Sequence, residues 1–183
     1  MNSGIVSQRR CTRRLALLHQ ACRWLAAGLL LSAVCVSIVS SRPGSDSTGQ
    51  DIEQIEQQVF EQVNRQRQAL GLHPLQRHDR LDEAARAHSQ DMAERRYVSH
   101  INPDGYRLIE RLRLAGVRSA REIAENVGSL PPGRDLVERM VQLWMNSSGH
   151  RSNIVNPRFK YTGIGVARAA DGVFYFTQVF TDR

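Results

Sequence analysis

The sequence predicts an α+β protein, a three-layer α-β-α sandwich closed by a C-terminal antiparallel hairpin. Three observations predict it. Apolar residues recur at helical spacing in several stretches, each bounded by stop signals. Two strand-like segments, YTGIGVARA and VFYFTQVFT, flank Asp171-Gly172, a strong hairpin signal. Both faces of those segments are apolar, so helices are expected on both sides of the sheet.

Each element has a local reason. Ile52, Ile55, Val59 and Val63 share one face of a helix over 51–69, ended by Gly71 and Pro74. Leu81, Ala84, Ala85, His88 and Met92 mark a second helix, about 80–96, and put His88 on its apolar face as a core or cleft-wall histidine. NPDG (102–105) is a turn. A third helix, about 106–115, turns Leu108, Ile109 and Leu112 inward and stops at Gly116. After a loop at 129–134, Asp135 and Glu138 form a capping-box-like pair opening a helix over 136–146, with Trp144 in the core. Ser147-Ser148-Gly149 reads as its stop. A two-residue turn at Asp171-Gly172 pairs Ala170 with Val173, Gly163 with Phe180, Gly165 with Gln178 and Ala167 with Phe176. It also sets Ile164 against Val179.

The formal charge of +7 is concentrated at one end. Residues 1–41 carry five arginines and no Asp or Glu, leaving 20 basic and 18 acidic groups in the remainder. No basic stripe with interleaved aromatics appears there, so nucleic acid is not an expected partner. The arginines precede an uncharged apolar run, Trp24 to Val39, shorter than the roughly 20 residues of a spanning helix. Residues 1–41 therefore read as a signal peptide or an uncleaved signal anchor, with the membrane reached only through 24–39. Residues 42–50 read as a linker and 51–183 as the folded domain. The expected location is periplasmic or extracellular. Cys11, Cys22 and Cys35 all lie in the leader, so the domain has neither a disulfide nor a thiolate metal site.

Four segments carry candidate chemistry: YVSH (97–100), IAENVG (123–128), WMNSSGHRSNI (144–154) and YFTQVF (175–180). With VNRQRQALGLHPL (63–75) and ARAHSQDMAERRYVSHINPDG (85–105), their order and spacing resemble the CAP superfamily (SCP/PR-1-like), in particular its bacterial SCP-like extracellular branch. The resemblance covers about residues 55–182 and implies the α-β-α sandwich (CAP fold) with a central cleft. It also implies a site, because many eukaryotic members carry two His and two Glu there and some bind zinc or another divalent cation. By motif, the first His is His100 and the first Glu is Glu125. Ser147 stands at the second Glu and Tyr175 at the second His, so half of the set is replaced. The G-H-R segment offers His150 instead.

His100, Glu125 and His150 are thus the candidate catalytic or ligand-contacting residues. Two imidazoles and a carboxylate could serve as acid and base, since histidine titrates near neutral pH. Alternatively, His100 and His150 could hold zinc with water in an open position. With half of the set replaced, no cofactor is expected and zinc is the alternative. Each residue also has a purely structural reading: His100 fixing the turn before Asn102, Glu125 paired with an arginine, and His150 capping loop carbonyls. Asn126 and Asn153 read as loop-fixing hydrogen bonders. Three functions stay open: a cell-envelope or secreted binding module for a small-molecule lipid, glycan or peptide ligand; a hydrolase of peptides or envelope polymers; and a structural envelope protein.

Overall fold

The computed structural model describes residues 52–183; the leader (1–41), the linker (42–50) and Asp51 lie outside the described residues. The helical stripes form α1 (Ile52–Ala69), α2 (Asp79–Arg95), α3 (Leu108–Leu114) and α4 (Leu136–Asn146), with a further short helix, α5 (Ser148–Ile154). The strands are β1 (Gln76–Arg77), β2 (Ile123–Leu130), β3 (Tyr161–Arg168) and β4 (Phe174–Thr181), in the order β1-β3-β4-β2. The β1–β3 pair is parallel and the others are antiparallel. Helices α2 and α3 cover one face; α1, α4 and α5 cover the other. Among the described residues no helix is long and apolar enough to cross a membrane.

The hairpin differs from its expected register by one residue. Ala169 N–H donates to Val173 O and Gly172 N–H to Ala169 O, each at 2.8 Å, so the loop holds three residues, Ala170-Asp171-Gly172. Gly172 takes φ +88°, the left-handed residue that such loops require. Gly163 therefore pairs with Val179 and Gly165 with Thr177, not with Phe180 and Gln178. A one-residue slip exchanges faces. Phe174, Phe176 and Phe180 join Ile164 and Val166 under α1 and α4, while Gly163 and Gly165 lie bare beneath α2.

Three further expectations are corrected. Asp135 enters α4 with φ 55°, a left-handed conformation rather than the extended one that capping needs, and makes no side-chain cap. Glu138 instead accepts from Gln142 Nε2 at 3.0 Å. Ser147 ends α4 but, with an extended backbone, also starts α5, so Ser148-Gly149-His150 is a helical turn and not a loop. The expected loop at 129–134 likewise gives its first two residues to β2.

Side chains close both edges of the sheet. Beyond the two residues of β1, the Ile164 and Val166 amides donate to Asp82 Oδ1 (2.8 Å) and Glu56 Oε1 (3.2 Å). Arg77 neutralises both carboxylates, and Arg86 adds a second guanidinium at Glu56. On the opposite edge, Asn153 Nδ2 donates to Glu125 O and Trp144 Nε1 to Val127 O, both at 3.3 Å. Buried Arg67 fastens the segment after α5 to α1, donating to the carbonyls of His73 (3.0 Å), Ile154 (2.7 Å) and Asn156 (3.0 Å).

A Cβ on Gly165 would sit 2.2 Å from the Ala85 carbonyl carbon. Gly165→Ala is expected to cost about 3 kcal/mol or more, because the obstacle is backbone. Trp144→Ala, at a site 1% exposed, is expected to cost about 3–5 kcal/mol. Urea unfolding followed by circular dichroism measures both; wild-type stability in Gly165→Ala would contradict the close approach.

Candidate functional site

Edge strand β2 organises the site. Glu125 pairs with Val179, which pairs with Gly163, so its side chain points to the α2/α3 face. Asn126 points to the other face, where its Nδ2 donates to His150 O at 3.2 Å. Asn153 Nδ2 donates to Asn126 Oδ1 at 2.9 Å and to the Glu125 carbonyl, fastening α5 along the free edge of β2. Both asparagines therefore fix backbone, as the sequence indicated.

His100 sits in the loop between α2 and α3, whose shape is set locally. Arg96 ends α2 in a left-handed conformation. Asn102 Oδ1 accepts the amides of Asp104 (3.1 Å) and Tyr106 (2.8 Å), and Gly105 closes the turn at φ +84°. Asn102, rather than His100, holds that turn. Two buried residues clamp successive carbonyls of the loop: His88 Nε2 lies 2.8 Å from Ser99 O, and Arg111 Nη2 donates to His100 O at 2.9 Å. Because a carbonyl only accepts, His88 Nε2 carries the proton.

The carboxylate of Glu125, whose side chain is 2% exposed, is engaged on both oxygens. Arg111 Nη1 donates to Oε2 at 2.7 Å and Nη2 to Oε1 at 3.2 Å, a bidentate pair. His100 Nδ1 lies 2.8 Å from Oε1. The acceptor is a carboxylate, so Nδ1 is the protonated nitrogen and Nε2 is the atom left for solvent or ligand. The His100 side chain is 56% exposed.

Electrostatics follow from these contacts. The hydrogen bond to Glu125 raises the His100 pKa above the ordinary histidine value. Burial pushes the Glu125 pKa up, but the hydrogen bonds from His100 and Arg111 outweigh it and hold the group below the ordinary carboxylate range. Burial lowers the pKa of His150, and the nearby charge of His100 lowers it further. Buried His88 is likewise lowered, chiefly by desolvation.

Of the residues picked from sequence, the structure joins His100 and Glu125 directly and brings His150, in the first turn of α5, within electrostatic reach of His100 across the β2 edge. Tyr175 is buried among Met92, Ala93 and Val127, in an apolar cluster. Arg111 was missed. Its signal was a charge three residues after Leu108 and one before Leu112, on the inward face of α3, where a buried guanidinium needs an anion.

The comparisons with known proteins agree with this architecture. The family model described as "Cysteine-rich secretory protein family", CAP, matches residues 60–180. The Bacillus subtilis protein YkwD is 37% identical over 137 residues, 75% of this chain and 51% of YkwD. YlbC of the same organism, described as a membrane protein, is 32% identical over 70% of this chain and 34% of its own length. The chain thus spans about half of one relative and a third of the other. Among solved structures, an extracellular SCP-domain protein from Bacillus anthracis is 28% identical with a TM-score of 0.65, covering 78% of this chain and 45% of that one. An outer surface protein from Borrelia burgdorferi, 21% identical, covers 73% of this chain and 96% of its own with a TM-score of 0.66, a likeness of fold. The matched span and the YkwD identity place the chain in the CAP family, as a bacterial CAP/SCP-like protein.

Proposed function

We propose that this protein is an extracytoplasmic binding module that contacts its ligand through His100 Nε2, with His150 as a second polar contact. The observation that supports this most is the engagement of Glu125: both oxygens are held by Arg111 and one also by His100, so the carboxylate orients the imidazole and is not a free base. The ligand class is an envelope lipid, glycan or peptide. NMR titration with defined representatives of each is expected to shift the His100 and His150 ring signals for one class. His100→Ala should abolish that binding while leaving the melting temperature within a few degrees. Binding by no class, or binding unchanged in His100→Ala, would reject the reading.

The same pair favours hydrolysis as the second reading. A histidine oriented by a carboxylate and exposing Nε2 is a general base in form, and release of product from a peptide or envelope polymer would put this reading first.

The site's donors do not fit a divalent cation well. Among the described residues, the one carboxylate at His100 already faces a guanidinium at 2.7 Å, and no three His, Cys, Asp or Glu side chains group as a metal site. The proposed module is metal-free. For His100, the stabilisation from its raised pKa is full below the ordinary value of about 6.5 and is lost as pH rises through the raised value. A proton titration followed by NMR should place His100 above an ordinary histidine and His150 below it. Glu125→Gln should lower the His100 midpoint, since Arg111 then repels the imidazolium unopposed. Added zinc should leave both curves in place; a tight shift removed by His100→Ala would overturn the metal-free reading.

The arginine-rich leader supports export, as does the extracellular description of the B. anthracis neighbour. Cell fractionation is expected to find the protein in the envelope or the medium, and recovery from the cytosol would refute this.

A further inference from the structure

Helix α3 and the start of β2 enclose a half-open cavity of about 450 Å³. Ile109, Leu112, Val117 and Ile123 supply apolar wall, while exposed Arg113 and Arg118 line it as well. Residues 111–121 include four arginines and no Asp or Glu. Arg111 is committed to Glu125, but neither Arg113 nor Arg118 has a carboxylate partner among the described residues. Arg80, whose Nη1 donates to Gly116 O at 2.8 Å, adds positive charge to the same turn. The neighbouring acids are engaged: Glu110 accepts the Arg107 amide, Glu122 pairs with Arg158, and Asp182 accepts the Arg121 and Glu122 amides. An apolar hollow therefore opens beside two guanidinium groups that pair with no carboxylate among the described residues.

The size falls in the range of small-ligand pockets, about 300–1,000 Å³, and guanidinium groups favour oxyanions. We propose that this cavity binds a small amphiphile with one apolar tail and an anionic head, the tail against Ile109, Leu112 and Ile123 and the head on Arg113 and Arg118. His100, Glu125 and His150 do not line it, so the proposal stands apart from the ligand reading of the previous subsection. The two sites share their supports, because Leu112 follows Arg111 on α3 and Ile123 precedes Glu125 by two residues on β2.

Calorimetry on the full chain with decanoate, decyl phosphate and decanol, each below its micelle concentration, tests this. Saturable binding of an anion is expected, with decanol weaker by about tenfold or more because it lacks the charge. The double variant Arg113→Gln, Arg118→Gln should weaken the anion by a similar factor and keep the wild-type melting temperature, both side chains being exposed. Preference for decanoate or for decyl phosphate assigns the head as carboxylate or phosphate. His100→Ala should bind the anion as wild type does, which separates failure here from failure at His100. The proposal is overturned if neither anion binds, if decanol binds as tightly, or if the double variant is undiminished.

Discussion

The contact of α2 with Gly163 and Gly165 governs the rest of the molecule. At both positions an added Cβ would lie 2.1–2.2 Å from the backbone of Leu81 or Ala85, so the helix rests on bare strand. That approach brings Asp82 to the Ile164 amide and Ser89 Oγ to Gly165 O at 2.8 Å, bonds that a more distant helix could not make. It also fixes His88, one turn after Ala85, and through the Ser99 carbonyl the loop that carries His100. The position of an exposed imidazole is therefore traced to two glycines on the far strand of the same layer.

Buried charge does the complementary work at the edges. Glu56, Asp82, Glu125 and Arg67 are all buried, and each is tied to backbone or to a partner bound to backbone. Arg67 has only carbonyls around its guanidinium, and desolvation lowers its pKa. Such groups add little net stability compared with apolar packing, but removing one partner leaves an uncompensated charge or amide. They hold register and edge geometry in a sheet whose outer strand β1 has only two residues.

Much of this was legible in the sequence. The first four helices were readable within one or two residues because their apolar stripes are regular, and His100 and Glu125 were readable from motif order. The hairpin register was not. Asp171-Gly172 looks like a complete two-residue turn, yet Asp171 Oδ1 accepts the Val173 amide and Gly172 alone takes the left-handed position, which admits Ala170 to the loop. Strand β2 was hidden because Glu125 and Asn126 interrupt its alternation, and both are polar for reasons of the site. Helix α5 was hidden behind Ser-Ser-Gly, whose first serine makes a corner instead of an end. The hairpin failure is local, whereas the other two fall around the candidate site, where polar tertiary contacts override local preference.

Arg111 changes what the candidate site presents to solvent. A lone buried Glu125 would offer negative charge; with a bidentate guanidinium beside it, the two cancel and the remaining ionisable groups at the β2 edge are the imidazoles. The charge seen from solvent is then set by His100, whose proton is retained to higher pH by the hydrogen bond to Glu125. His150 is biased the other way, by its own burial and by the His100 charge. The two shifts run in opposite directions, so His100 favours its charged form more than His150 does. A metal ion held by the two rings would need each coordinating nitrogen deprotonated, and the hydrogen bond to Glu125 that favours the charged form of His100 works against this.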